Sequence, residues 1–307
     1  MKTNVVSRLK NKVIHCIKNI GNTMRFHRMD KENLLVVNAW MFLYGEDPEH
    51  NNLGDELNYY LLKELSGKQI VNCFNLYVPD LENITCIGSI VDSMSNSNSV
   101  IWGTGAISDK RNMRVKPRKI CAVRGALTRQ YLISQGIECP EVYGDPALLL
   151  PRIYAPKCEN KYKIGIIPHY VDADNKVIDA LVRQNPQEIK VIQMHGYNDW
   201  HEIIDMINEC SFIASSSLHG LILADAYDVP NVWIEFSDKV AGSGFKFRDY
   251  FSAVGRSEQV PMRITASTFA CDLMAYKSLW HPIQIDLDKL LDACPFQVAS
   301  QYKRNPC

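Results

Sequence analysis

The pattern that most strongly suggests chemistry is a run of three serines, Ser215, Ser216 and Ser217, followed by Leu218-His219-Gly220. It joins a short apolar run to an apolar segment with helical spacing. Serine hydroxyls and free amides at a helix N-terminus can hold an anion, and an imidazole beside them can transfer a proton near neutral pH. Helix capping alone would explain the serines but not the His-Gly pair. The pattern predicts an anion site with His219 as a catalytic residue.

Two further proton-transfer candidates follow other apolar runs. Asp55 lies in Asn52-Leu53-Gly54-Asp55, where a glycine permits close approach of the backbone to a ligand. Its carboxylate can cap the helix that follows, or it can act as a hydrogen-bond partner or base for a substrate hydroxyl. His169 ends the run Ile166-Ile167-Pro168-His169, either as a catalytic helper or as a loop histidine with ordinary partners.

Cations and glycines supply a candidate anion-binding surface. Arg124 ends a buried run, so its charge needs an anionic partner, which is either a ligand or a core carboxylate. Lys246 and Arg248 lie two residues apart and face different sides of a helix, so they share a ligand only if Lys246 lies in the preceding loop. Gly103 and Thr104, directly after an apolar run, predict a floor of backbone amides.

The elements that must position these residues alternate between short apolar runs and segments of helical periodicity. This alternation predicts parallel sheets with right-handed crossovers, so the fold class is α/β. We predict strands at Asn33–Trp40, Ile70–Phe74, Ile84–Ile87, Val100–Trp102, Ile120–Val123, Lys163–Ile167, Lys190–Met194, Phe212–Ala214 and Asn231–Phe236. We predict helices up to Gly67 and over Ala126–Ser134, Val177–Val182, Trp200–Cys210, Leu218–Tyr227, Phe245–Val254 and Leu287–Cys294.

A proline-containing stretch, Pro151–Glu159, separates two such alternations and marks a domain boundary. The expected organisation is a basic leader over residues 1–30, an N-terminal lobe over 31–155, and a C-terminal lobe with a helical tail over 156–307. Ligands bind beyond the carboxyl ends of parallel strands, which is where all the motifs fall. Asp145, in the connector Gly144–Pro151, is a helix cap or an active-site residue.

Composition narrows the class of protein. The chain has 307 residues, 46% of them hydrophobic, and a formal net charge of +0, so bulk charge gives no reason to expect a nucleic-acid partner. Ten dispersed cysteines contain no CxxC pair or zinc spacing, which predicts reduced thiols in the cytoplasm and no metal site. The leader combines cations with apolar residues at helical spacing, which is typical either of a helix on an anionic membrane or of one packed on the enzyme.

Taken in order, NLGDEL, GSI, WGTG, VRGALT, GDPALLLP, IPHY and SSLHGLILADA resemble the polysaccharide pyruvyl transferases from about Asn52 to Ala226. The resemblance implies two Rossmann-like lobes with a cleft between them, as in the glycosyltransferase-B fold. It implies phosphoenolpyruvate as co-substrate, with no other cofactor, and ketal formation on a sugar. The expected setting is surface or capsular polysaccharide biosynthesis in the cytoplasm, at the inner face of the cell membrane, with a lipid-linked saccharide as acceptor.

The resemblance also assigns roles to residues. Arg124 and His219 match the family's motifs, while Ser217 stands where some members carry arginine, so another cation must supply that charge. Phosphoenolpyruvate needs cations and helix N-termini around its carboxylate and phosphate, so the expected donor site comprises Arg124, Ser215, Ser216, Ser217, Lys246, Arg248, Gly103 and Thr104. Asn52 and Asp55 would bind the acceptor, and His219 would act as general acid with His169 or Asp55 as helper. Two alternatives remain open: a glycosyltransferase of the same fold with a nucleotide-sugar donor, and a non-catalytic sugar-binding subunit.

Overall fold

Two five-stranded sheets, each parallel throughout, form the framework of the protein. The computed structural model describes residues 5–41, 51–256 and 259–303, with the side chains of the first helix described from Cys16 onward. Helices separate most of the strands along the chain. The predicted α/β class is therefore confirmed, with one sheet in each lobe.

The N-terminal lobe contains the first five strands, in the order β2-β1-β3-β4-β5. Its strands are β1 (Leu34–Val37), β2 (Gln69–Asn72), β3 (Asn83–Thr85), β4 (Ser99–Trp102) and β5 (Lys119–Ala122). Its helices are α1 (Val5–Arg28), α2 (Leu53–Ser66), α3 (Val91–Met94) and α4 (Ala126–Ile133). Gly67 ends α2 in the left-handed conformation (φ 66°), as its position after the apolar repeat predicts.

The C-terminal lobe contains the other five strands, in the order β10-β9-β8-β6-β7. Its strands are β6 (Ile164–Ile167), β7 (Ile189–Val191), β8 (Ile213–Ser215), β9 (Asn231–Glu235) and β10 (Met262–Arg263). The helices after the connector are α5 (Lys176–Gln184), α6 (Trp200–Asn208), α7 (Leu218–Ala226), α8 (Phe245–Ala253), α9 (Ala270–Ala275) and α10 (Leu287–Asp292). All predicted strands and helices have a counterpart, whereas β10, α9 and the short helix α3 were not predicted.

The two sheets share one winding pattern. In each, the second strand lies on one side of the first and the remaining strands lie on the other side. The winding therefore changes direction between β1 and β3, and again between β6 and β8. A crevice opens beyond the carboxyl ends of the strands at such a switch point, where open α/β sheets bind ligands.

Two segments link the lobes: the connector that precedes the C-terminal lobe and the tail that follows it. A 3-10 helix, Pro146–Arg152, forms the connector. The tail then returns to the N-terminal lobe, where Trp102 Nε1 donates a hydrogen bond to Leu290 O (2.9 Å) and Ala299 N donates to Leu65 O (2.8 Å). The tail also keeps contacts with the C-terminal lobe, where Gln284 N donates a hydrogen bond to Val254 O (3.1 Å). One buried apolar cluster consequently contains side chains from both lobes.

The leader contains the helix α1, which packs against the N-terminal lobe. Asn19 and Phe26 are buried, and Phe26 packs with Leu34 and Val71. In the described part of the chain, no helix is both long and apolar enough to cross a bilayer.

Candidate active site

The N-terminus of α2 lies where the two lobes meet, and we call this junction the cleft. Leu53 N donates a hydrogen bond to Met194 O (2.7 Å), and Asn52 forms an isolated antiparallel bridge with His195. Asn52 Oδ1 also accepts from Gly54 N (3.0 Å), so this side chain caps α2. The helix start that carries Asp55 is therefore held against the loop that follows β7, and an acceptor-binding role for Asn52 stays a prediction.

Gly54 lies directly against the ring of His219 from the other lobe. A Cβ atom at this position would lie 2.1 Å from His219 Nδ1 and 2.6 Å from Cγ, closer than any real contact. Glycine is required here because the backbone of one lobe touches the imidazole of the other. Two motifs separated by more than half the chain thus meet at one point.

His219 occupies the first turn of α7, and its Nε2 faces Asp145 Oδ2 at 3.9 Å. Within the described residues, both atoms are buried without a hydrogen-bond partner. Burial, then the charges of Arg124 and Lys246, lower the pKa of His219 to about 3. Burial raises the pKa of Asp145 to about 6. At 3.9 Å, and with a neutral imidazole, the two groups form neither an ion pair nor a hydrogen bond.

Lys246 and Asp55 approach the cleft from opposite lobes. Lys246, in the first turn of α8, is 8% exposed, and burial followed by the charge of Arg124 lowers its pKa to about 8. Burial raises the pKa of Asp55 to about 7, and the Lys246 charge offsets part of that shift. A cation and a carboxyl group that titrates near neutrality therefore share the site. Arg248, by contrast, is exposed, and its donor-binding role stays a prediction.

His169, after β6, is the third titratable group from the C-terminal lobe. Its Nε2 lies 3.4 Å from Lys246 Nζ, and its Nδ1 lies 3.4 Å from the amide of Val171. Burial, then the Lys246 charge, lower the pKa of His169 to about 3. A neutral imidazole has one N–H and one acceptor nitrogen, so only one of these two contacts is a hydrogen bond at any time.

The serine turn holds the C-terminal half of the site in place. Ser216 Oγ accepts from His169 N (2.8 Å), and Ser215 Oγ accepts from Ser217 N (3.0 Å) while lying 2.8 Å from Ser217 O. Ser215 and Ser216 are at most 1% exposed, so their hydroxyls support the turn from within. Ser217 is partly exposed, and its side chain makes no capping bond to α7. Ser217 is the least buried of the three serines, and donor binding by any of them stays a prediction.

Arg124 is entirely buried beneath the cleft. Its Nε lies 2.9 Å from Asp249 Oδ2, and its terminal nitrogens donate to Ser89 Oγ (2.6 Å) and Ala106 O (2.9 Å). Asp249 lies on α8 of the other lobe and also accepts from the amide and the hydroxyl of Thr128, both at 2.7 Å. The open alternative for Arg124, an ion pair with a core carboxylate, describes its contacts, and direct donor binding stays a prediction.

Gly103 and Thr104 directly follow β4, and the carbonyl of Thr104 accepts a hydrogen bond from Arg124 N (3.2 Å). Gly103 has a φ of 88° and packs on Pro146, where a Cβ would lie 2.2 Å from Cδ. Thr104 is fully buried and its hydroxyl donates to Gly88 O at 2.8 Å. Their predicted contact with a donor is untested.

Two features of the site were missed by sequence reasoning. Asp249 follows Lys246 by three residues, so the two lie on one helix face, and that spacing could have identified it. Glu56 crosses the lobes by accepting from Tyr197 OH (2.7 Å), and burial raises its pKa. No spacing in the sequence indicates the contact between Glu56 and Tyr197.

Comparison with known proteins matches the part of the chain that contains most of the candidate site residues. The model of the family described as polysaccharide pyruvyl transferase matches residues 52–238, which contain Asp55, Arg124, His169 and His219 but not Lys246.

Two curated relatives extend this match. An uncharacterized protein of Acanthamoeba polyphaga mimivirus is 32% identical over 214 residues, which is 66% of this chain and 71% of that protein. The succinoglycan biosynthesis protein ExoV of Rhizobium meliloti (strain 1021) is 26% identical over 246 residues, covering 77% of this chain and 72% of ExoV. The search of solved structures found no match. Since the family model covers more than half of the chain and most of the cleft residues, this protein belongs to the polysaccharide pyruvyl transferase family.

Proposed function

We propose that the cleft transfers a pyruvyl group from phosphoenolpyruvate to two hydroxyls of a glycan, forming a ketal, during synthesis of a surface or capsular polysaccharide. One observation carries the proposal: Asp55, with a pKa of about 7, shares a buried cleft with the cation Lys246. A carboxyl group that titrates near neutrality can move protons. A partly desolvated ammonium can hold a carboxylate or phosphate.

The chemistry needs both functions. Protonation of the terminal enol carbon forms a methyl group, and one sugar oxygen bonds to the neighbouring carbon and loses its proton to a base. The carbon–oxygen bond to phosphate then breaks, inorganic phosphate leaves, and the second sugar oxygen bonds to the same carbon and loses its proton. Each turnover thus requires a proton donor, two proton acceptances and charge stabilisation of phosphate.

In our proposal Asp55 enters the reaction already carrying a proton, because its pKa near 7 leaves a large protonated fraction at neutral pH in the donor-free cleft. The imidazoles of His169 and His219 are neutral there, with pKa values of about 3. A bound dianion would favour their protonated forms. His219 becomes an acid only with donor in place, and an imidazole that stays neutral there can accept a proton from a sugar hydroxyl. Lys246 and the N-terminus of α7 at Ser217 hold the anion.

The setting is also a proposal. We place the reaction in the cytoplasm, in keeping with nine described cysteines that are all free thiols. We propose a glycosyltransferase-B-like arrangement of the lobes, supported by the shared strand order and by the motifs at the carboxyl edges of both sheets. Support for a glycan acceptor comes from the family and from the relative named as a succinoglycan biosynthesis protein.

The deciding experiment measures inorganic phosphate released from phosphoenolpyruvate with and without free or lipid-linked galactosides. We expect release only when donor and acceptor are both present, and a loss of about 10²–10⁴-fold in Asp55→Asn. Thermal-shift measurements with phosphoenolpyruvate and with a panel of nucleotide sugars form the second arm. Stabilisation by a nucleotide sugar alone would replace the proposal with a glycosyltransferase. Glycan binding without phosphate release, whatever the acceptor, would indicate a non-catalytic subunit.

A further inference from the structure

We propose that α1 and the aromatic side chains beside it dock the protein on an anionic lipid surface. The outer face of α1 is apolar: Ile17, Ile20 and Met24 are 64%, 49% and 58% exposed. Their spacing of three and seven residues places them in one stripe. A helix that only completes a fold normally turns such a stripe inward. This stripe faces outward, and the proposal is independent of the reaction proposed above.

The orientation of α1 is fixed by its other face. Asn19 and Phe26 are buried, and Phe26 follows Ile17 by nine residues, half a turn away around the helix. Thr23 Oγ1 accepts a hydrogen bond from Tyr77 N at 2.9 Å. Rotation of the helix to bury its apolar stripe would expose Phe26 and break this bond.

Exposed aromatic rings lie beside the helix. Trp40, Phe74 and Tyr77 are 50%, 44% and 53% exposed, and the rings of Trp40 and Phe74 are 5.5 Å apart. Phe74 and Tyr77 belong to the segment that packs against α1. Tryptophan and tyrosine are enriched where a protein meets the headgroup layer, because their rings are apolar with a polar tip.

The charge of α1 selects the kind of surface. The helix contains six Lys and Arg residues and no Asp or Glu. Arg25 and Arg28 are exposed near its C-terminus, and helical geometry places both along the same side of the apolar stripe. An apolar stripe bordered by cations is typical of helices that lie in the interface of anionic membranes. A partner of this chemistry explains both the stripe and the lack of acidic residues.

The exposed surface of α1 and its neighbouring aromatic rings lies near the cleft. Trp40 follows β1 and Phe74 follows β2, so both lie at the carboxyl edge of the N-terminal sheet. Asp55 and Arg124 lie beyond the carboxyl ends of strands of the same sheet. Docking there brings the cleft edge to the lipid surface, where a lipid-linked substrate would be presented.

The test is cosedimentation of the full chain with phosphatidylcholine vesicles, with and without phosphatidylglycerol. We expect binding only to the anionic vesicles, weakening with salt. Arg25→Gln/Arg28→Gln should weaken binding about 25-fold, at about fivefold for each cation near the surface. Ile17→Gln/Met24→Gln should weaken it about tenfold or more through lost apolar burial.

The matched control is Val260→Gln/Leu279→Gln, which removes two apolar side chains of the C-terminal lobe that are somewhat more exposed (76% and 70%) than Ile17 and Met24. It should bind like the wild type. Equal binding by all variants, or no binding by the wild type, would overturn the proposal. So would a dimer, seen by sedimentation velocity, that Ile17→Gln/Met24→Gln dissociates, because a second copy would then cover the stripe. Unchanged thermal melting of the variants excludes misfolding.

Discussion

Replacing Asp55 by Asn is expected to stabilise the protein at alkaline pH while removing most of its activity. Burial raises the pKa of Asp55 from 3.8 to about 7, and the nearby Lys246 offsets only part of that shift. Above pH 7 the folded protein therefore holds a carboxylate in a poorly solvated place. Asparagine has nearly the same shape and cannot ionise, so it removes that cost.

The size of the effect follows from the pKa shift. The folded and unfolded pKa values differ by about 3 units, and each unit corresponds to about 1.36 kcal/mol. The full shift would be about 4 kcal/mol, but Asp55 keeps partial exposure to the cleft and Lys246 loses an attractive neighbour in the variant. We expect a gain of about 2 kcal/mol, or about 4 °C in melting temperature.

The sign depends on pH in a defined way. Because the folded pKa is the higher one, the folded protein retains a proton between about pH 4 and 7 that the unfolded chain releases, and stability falls through that window. Melting curves of wild type and Asp55→Asn should coincide near pH 4 and separate by pH 8. Asp174→Asn, at an exposed position, is the control and should not separate. A difference that is the same at every pH would refute the reasoning.

Three further substitutions test the rest of the site. Gly54→Ala should lower kcat/KM in the phosphate-release assay by about 100-fold, because the added Cβ would occupy the space of the His219 ring and displace the imidazole. An unchanged kcat/KM would contradict the close packing of Gly54 on His219. His219→Gln should lower turnover by about 10²–10⁴-fold, with phosphoenolpyruvate affinity by calorimetry changed only a few-fold; joint loss of both would make His219 an anion ligand. Asp249→Asn should cost about 3–5 kcal/mol in urea unfolding, since it leaves the buried Arg124 charge uncompensated; a variant as stable as the wild type would show that the ion pair is dispensable.

The fold was largely predictable because its signals are local. Short apolar runs alternate with helical periodicity, so nine of the ten strands have a predicted counterpart. The tenth, β10, has two residues and no apolar run, and it exists because Met262 pairs with Ile234. The return of the tail to the N-terminal lobe depends on contacts such as Trp102 with Leu290, which join residues too far apart for any local pattern to indicate.

The location of the candidate site could be predicted from the sequence, but the bonding partners of its side chains could not. We predicted Arg124, His169 and His219 near the cleft because each lies at or just after the end of a strand, and ligands bind at the carboxyl edge of parallel sheets. Residue type could not decide whether Arg124 meets a ligand or a carboxylate, since both satisfy a buried guanidinium equally. Likewise, only burial distinguishes Lys246 from Arg248, and burial depends on how α8 packs between the lobes.

A second buried cluster shows why the cleft has the properties of a site rather than of a core. In the C-terminal lobe, Asp225 accepts hydrogen bonds from Asn231 (2.6 Å) and Tyr250 (2.7 Å) and is paired with Arg256. Both of its oxygens are satisfied, as expected of a group that serves stability.

The cleft is built differently. His219 Nε2 and Asp145 Oδ2 face each other at 3.9 Å, both buried and both without a hydrogen-bond partner among the described residues. Unpaired buried polar atoms each cost about 1–3 kcal/mol. Every shifted group there, Asp55, Asp145, His169, His219 and Lys246, is shifted towards its neutral form. Such a set gains most from a ligand that brings negative charge and hydrogen-bond acceptors, because that ligand would favour the protonated forms of His219 and Lys246 and would keep Asp55 protonated. We therefore expect anion binding to restore part of that stability, as the proposed donor site would allow and a structural ion pair would not.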